Sequence, residues 1–303
     1  MNLFTEQINN EQDWENVYQS ISSFAPLVNH IMKKEKLPSS QIENLTPGTN
    51  AVFKVGEYVI KIFAPEESGF SQSLDIETEL FATRRANKLG VSAPKLIAHD
   101  HVEDKFHFTY IITEYINGMA FEEALKIMTD CEKTDIARKL RIITDKMNTP
   151  CEPFNSIDVI NDKGRYHSWE KYPEYFKAER LAYMKSYNYG DNVFVHGDLC
   201  LDNMLLTSQG ELYIIDFADA VLAPKIYEHA IVALAFGYIS DIVLLRGYFE
   251  DYSADEFTEM CFNGLLLHDL GGQIVEDILG KPNEFQTLNG LRKTLKSWME
   301  KKN

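Results

Sequence analysis

Between positions 11 and 35 the apolar residues Trp14, Val17, Tyr18, Ile21, Phe24, Val28 and Ile31 recur at steps of mostly three and four. That is the stripe of an amphipathic helix, with an interruption expected at Pro26, which lacks the N–H a helix needs. After Leu37-Pro38 the period shortens. Ile42 to Leu45, Ala51 to Val55 and Tyr58 to Phe63 read as strands, separated by Thr46-Pro47-Gly48-Thr49-Asn50 and by a turn at Gly56-Glu57. Ser73 to Leu89 reads as a helix, with Gly90 and Pro94 behind it. Phe106 to Ile116 alternates as a strand and meets the turn signal Asn117-Gly118. Phe121 to Met147 reads as one helix whose core side holds Leu125, Ile127, Met128, Ile136, Leu140 and Ile143. Residues 148 to 168 read as an extended loop. Two short apolar runs follow, Val193 to Val195 and Leu212 to Ile215, and both stop at polar residues. The segment they bound reads as strand, polar loop, hairpin strands and a carboxylate at a strand end. From there to Asn303 the chain reads as helices.

A length of 303 residues suits two domains or lobes with sizeable cores. The formal charge of −16 argues against an extended nucleic-acid footprint and favours cationic small molecules. Cys131, Cys151, Cys200 and Cys261 lie far apart, without the close pairs of zinc or redox motifs, so reduced thiols in a cytoplasmic protein are expected. Neither a signal peptide nor a membrane span is expected; the longest apolar run, Ala230 to Ile239, is too short and meets Asp241.

The candidate chemistry lies in the stretch from Asn192 to Ala220. His196-Gly197-Asp198 follows the first apolar run, Asn203 stands five positions after Asp198, and Asp216 ends the second run. One carboxylate can accept a proton from a substrate hydroxyl; a carboxamide oxygen and a second carboxylate are hard oxygen ligands of the kind Mg²⁺ prefers. Asp, Asn and Gly also crowd ordinary turns. His196 before them and Ile214-Ile215-Asp216-Phe217 after them favour a site. Upstream, Lys61 stands in Val59-Ile60-Lys61-Ile62-Phe63, a lysine on one face of a strand, where it can bridge nucleotide phosphates beneath a loop of Pro47, Gly48, Thr49 and Asn50. With a single glycine, that loop is equally well a plain hairpin turn.

His196-Gly197-Asp198 with Asn203, followed by Ile214-Ile215-Asp216-Phe217, resembles the catalytic segment of the aminoglycoside phosphotransferase and choline kinase superfamily. The resemblance implies an α+β, protein-kinase-like fold of two lobes. The first is a nucleotide lobe over residues 1–117, an antiparallel sheet with helices and a helical extension over 1–38. The second, over 118–303, is a mostly helical catalytic and acceptor lobe. It implies Asp198 as catalytic base, Asn203 and Asp216 as magnesium ligands, and ATP as donor, with GTP not excluded. Lys61 would be held by Glu79, whose spacing to Gly90 and Pro94 fits better than that of Glu77. Glu114 to Ile116 would be the adenine hinge, and His196 would brace the loop.

For the acceptor, the candidates are Trp169 and Tyr172, which also suit helix packing, and Asp219, Glu228 and Asp269. Glu228 departs from the family's usual Asp, and Asp269 belongs to an acidic stretch that solvation also explains. A protein kinase would need an activation segment, but Ala223-Pro224-Lys225 follows Asp216 almost at once. The expected partners are thus a nucleoside triphosphate and a small hydroxylated acceptor: an aminoglycoside or other amino-bearing molecule, or else choline, an amino acid or a sugar. A non-catalytic nucleotide-binding regulator is the reading from a different class. It would be expected to have lost one of Lys61, Asp198, Asn203 or Asp216, and all are present.

Overall fold

The computed structural model describes residues 2–46, 48–238 and 241–302. Contacts divide the chain into two compact units, Met1–Gly118 and Met119–Asn303.

In the first unit α1 (Glu11–Val17) starts on Asn10, whose side chain accepts from Asp13 N, and α2 (Ile21–Lys34) starts on Ser20, which accepts from Ser23 N. The expected single helix is therefore broken at 18–20, and Pro26 lies inside α2. Ser20 offers orphan N–H groups a cap, whereas Pro26 forfeits one bond in a helix that tertiary packing holds. Strands β1 (Ile42–Asn44), β2 (Ala51–Val55) and β3 (Tyr58–Ile62) precede α3 (Ser73–Leu89); β4 (Leu96–Glu103) and β5 (His107–Glu114) follow it. All pair antiparallel in the order β1-β2-β3-β5-β4. The edge strand β4 had no counterpart in the sequence reading. Its His99-Asp100-His101 stretch is exposed and Val102 is its one buried residue, so it shows no clean alternation. Phe4, Phe24, Phe53 and Phe108 are fully buried, with neighbouring rings 4.9 to 5.5 Å apart. Burying each ring contributes roughly 1.5–3 kcal/mol.

Strand β6 (Gly118–Ala120) leads into α4 (Phe121–Leu125) and α5 (Asp130–Met147). The helix expected over 121–147 is thus two helices. Thr129 and Glu132 form a reciprocal capping box that starts a new helix, and Ile127, expected in the core, is 75% exposed between them. After α6 (Glu174–Ser186) come β7 (Asn192–Val195), the hairpin β8 (Met204–Thr207) and β9 (Leu212–Ile214), and β10 (Val221–Pro224). β7 pairs antiparallel with β10, an element missed in the sequence because its partner lies in a distant segment. Among the described residues five helices follow: α7 (Ile226–Tyr238), α8 (Ile242–Tyr248), α9 (Ala254–Leu267), α10 (Gly271–Ile278) and α11 (Leu288–Lys302). α7 and α9 meet closely at Gly264, where a Cβ would stand 2.3 Å from Ala230 Cβ. The apolar run Ala230 to Ile239 falls mostly in α7, with Ile239 outside the described residues. Among those residues no helix is long and apolar enough to cross a membrane.

Candidate active site

In the first unit β2 and β5 flank β3, so Lys61 stands opposite Val52 and Ile111. Its Nζ lies 2.8 Å from Glu79 Oε2 on α3, both side chains being mostly buried, while Glu77 is exposed two positions away. Removing either partner would leave the other charge mostly buried without this ion pair. Of the loop before β2, Pro47 lies outside the described residues; Gly48 and Thr49 are exposed and Asn50 is buried. Trp14 Nε1 donates to Thr49 O at 2.9 Å, which fixes the loop against α1. A Cβ on Gly48 would meet nothing within 4 Å, so no steric demand calls for glycine there. At the far end of β5, Glu114 N donates to Lys95 O, and Glu114 Oε1 accepts from Lys95 N. Ile116 O accepts from Gly118 N.

In the second unit, β7 delivers His196-Gly197-Asp198 and the β8–β9 hairpin delivers Asn203 and Asp216. Gly197 has φ +88°, and a Cβ on it would lie 2.0 Å from Asp219 O. No other residue fits, which accounts for the glycine between the histidine and the aspartate. Asn203 Nδ2 donates to both Asp198 O (2.8 Å) and Asp198 Oδ2 (2.9 Å). Ile215 N donates to Asn203 O at 3.0 Å, which ties the end of β9 to the same turn. Asp216 follows with φ +60°, left-handed backbone that Asp and Asn tolerate better than most residues.

His196 is fully buried. Its Nδ1 accepts from Asp198 N at 3.3 Å and its Nε2 donates to Ile215 O at 3.0 Å, so the ring joins the two halves of the site. Glu228, expected as an acceptor contact, grips the backbone of the loop. It is fully buried, and its two carboxylate oxygens accept from His196 N and Gly197 N, each at 3.1 Å. Burial raises its pKa, against the pull of His196 and these N–H groups. Asn148, at the end of α5, donates to both Glu228 and Phe194 O.

Asp269 is no solvated acid. It pairs with Arg165 at 3.0 Å and accepts from Tyr227 at 3.1 Å; burial opposes its ionisation, but His268 and Arg165 hold its carboxyl below the ordinary range. His268 Nε2 donates to Gly197 O at 2.9 Å, a second anchor on the loop. Trp169 and Tyr172, offered as acceptor-pocket aromatics, are 1% and 3% exposed and stack with Phe176, so they are core. Asn148, Arg165, Tyr227 and His268 were missed in the sequence because each acts through a partner far along the chain; a lone histidine in an acidic stretch carries no signal of its own.

Asn203, with its amide nitrogen committed to Asp198, presents its other atom, Oδ1, as an acceptor, and Asp216 adds a carboxylate. This hard-oxygen pair fits a divalent cation. The surrounding charge also fits one: Asp219 is pushed up to about 6 by burial and by Asp198, Asp216 and Asp269. The ordinary value for an aspartate is 3.8, so between that pH and about 6 the folded chain holds the extra proton and stability falls as pH rises. In metal-free buffer, Asp219→Asn should therefore stabilise the chain by on the order of 2 kcal/mol at about pH 7 and by little at about pH 4. Urea denaturation at the two pH values measures the difference; an equal gain at both would trace it to packing. Cys200, beside Asp198, is raised to about 11 by burial and by that carboxylate, and so stays a thiol.

Residues 48–262 match the family model described as the phosphotransferase enzyme family. No curated protein matches the chain. Among solved structures, an aminoglycoside 2'-phosphotransferase-IIIa mutant in its GDP complex superposes with a TM-score of 0.59 at 18% identity, covering 91% of this chain and 93% of that one. Amicoumacin kinase hAmiN, solved with AMP-PNP, Ca²⁺ and Ami, gives 0.56 at 15% identity, with 89% and 93% covered. Choline kinase LicA from Streptococcus pneumoniae gives 0.55 at 16% identity, with 90% and 98% covered. These likenesses extend to the fold: a kinase-like arrangement with an antiparallel sheet in one unit and mostly helices in the other.

Proposed function

The chain belongs to the phosphotransferase enzyme family, and from that premise we propose that it transfers the terminal phosphate of ATP, with magnesium, to a hydroxyl of a small amino-bearing molecule. The observation that carries this reading is the grip of Asn203 on Asp198. Asn203 Nδ2 takes Asp198 Oδ2. Among the described residues, Oδ1 of the same carboxylate has no hydrogen-bond partner and is left to receive a proton from the acceptor hydroxyl. Glu228 and His268 fix the backbone on both sides of Gly197, so the carboxylate is oriented before substrate arrives. Asn203 Oδ1 and Asp216 would hold the metal, which when bound supplies charge neutralisation on the transferring phosphate. Lys61, steadied by Glu79, would bind the nucleotide phosphates beneath Gly48 to Asn50. The backbone of Glu114 to Ile116 would receive the base. Asp219 would face the amino group of the acceptor, whose positive charge relieves the repulsion that raises its pKa. The net charge of −16 and neighbours named for aminoglycosides and choline support an amino-bearing acceptor.

A coupled ADP-release screen over aminoglycosides, amino alcohols, amino acids and neutral sugars tests the proposal. Turnover with amino-bearing acceptors is expected. Activity on neutral sugars alone would refute the charge argument, and stabilisation by Mg-ATP with no turnover on any class would favour a nucleotide-binding regulator.

A further inference from the structure

The β4–β5 hairpin carries a second cluster of metal-ligating side chains, independent of the phosphotransfer site. Along β4, His101 and Glu103 are two positions apart and share a face; His107 on β5 stands directly opposite Glu103. The other face of the hairpin, Val102 and Phe108, is buried in the core. One ligand atom from each of His101, Glu103 and His107 lies within 4.8 Å of the other two. His107 Nδ1 is 2.7 Å and His101 Nε2 3.8 Å from Glu103 Oε1, and the two rings stack at 4.6 Å. A tetrahedral ion with bonds of about 2.1 Å sets its ligands about 3.4 Å apart. The observed spacings bracket that value, so small side-chain rotations bring the three ligands to it, with the fourth position left to water.

Two features show preorganisation. His101 Nδ1 lies 3.2 Å from Asp100 Oδ1, and Lys34 takes the other oxygen of Asp100 at 2.8 Å. With the proton on Nδ1, the lone pair of His101 sits on Nε2, the nitrogen that turns toward Glu103; a carboxylate behind a histidine is the usual outer shell of a zinc ligand. The hairpin turn is also fixed, because Asp104 Oδ2 accepts from Leu3 N and Phe4 N, and Lys105 Nζ donates to Thr5 O and Glu6 O.

We propose that His101, Glu103 and His107 form a surface site for a divalent transition-metal ion, zinc being the tetrahedral fit, that clamps β4 to β5. Two imidazoles and one carboxylate select zinc, nickel or copper over magnesium and calcium, which take oxygen ligands. The site lies at the start of β5, roughly 24 Å along the strand from Glu114 at its end.

Titration of the full chain with Zn²⁺, read by calorimetry and by the visible bands of Co²⁺ in its place, tests the proposal. One equivalent is expected to bind and to raise Tm. His107→Ala and Glu103→Gln should each weaken binding more than about tenfold and abolish the cobalt bands, and Asp100→Asn should weaken it about tenfold. Asp216→Ala should leave zinc binding intact, which separates this site from the proposed magnesium site. Glu103→Gln guards against a misfolded alanine variant, since it keeps side-chain volume, and circular dichroism checks both. No zinc binding, or binding lost in Asp216→Ala but kept in the hairpin variants, would overturn the proposal.

Discussion

Asp198→Ala is expected to bind Mg-ATP as the parent chain does, while ADP release with a good acceptor falls by about 10²–10⁴-fold. The truncation removes the carboxylate proposed to accept the proton and little else. Asn203 keeps its hydrogen bond to the backbone carbonyl of residue 198, so its amide stays oriented. The loop keeps Glu228 on the N–H groups of His196 and Gly197 and His268 on the carbonyl of Gly197. Thermal shift with nucleotide reports the binding half of the result and steady-state kinetics the other. An unchanged rate would remove Asp198 from the chemistry altogether.

Asp216 should fail at an earlier stage, in binding. With Mg-ATP at about 100 times its Kd, the parent chain gains about 2.7 kcal/mol of stability, and most of that gain should vanish when the carboxylate is lost. The choice of substitution matters because Asp216 sits at φ +60°. Alanine there adds backbone strain of its own, whereas asparagine tolerates the left-handed region and keeps the volume. Asp216→Asn is thus the clean variant and Asp216→Ala the stronger one. Both should lose nucleotide-dependent stabilisation, while their difference without nucleotide measures the strain. Stabilisation retained in both would deny Asp216 a metal.

The chain shows where local sequence suffices. The β2–β3 hairpin and α3 form between residues near one another, and periods of two and of three to four marked them. The helix breaks were misplaced because a capping residue outweighs a periodic stripe: Ser20 ended one expected helix, and Thr129 with Glu132 divided another. β4 and β10 were illegible because an exposed edge strand need not alternate and a four-residue strand needs a partner that the local pattern does not reveal.

The sequence by itself determined which groups are the candidates for the chemistry, since their types and spacing within one short segment are local facts: Asp198, Asn203 and Asp216, with Gly197 where no side chain fits. Only the tertiary structure decided what holds them. Glu228 took the N–H groups of His196 and Gly197, His268 reached the loop from 71 residues away, and Trp169 and Tyr172 went to the core. Burial and long-range pairing belong to the packed chain, and a buried glutamate and a solvated one are written with the same letter.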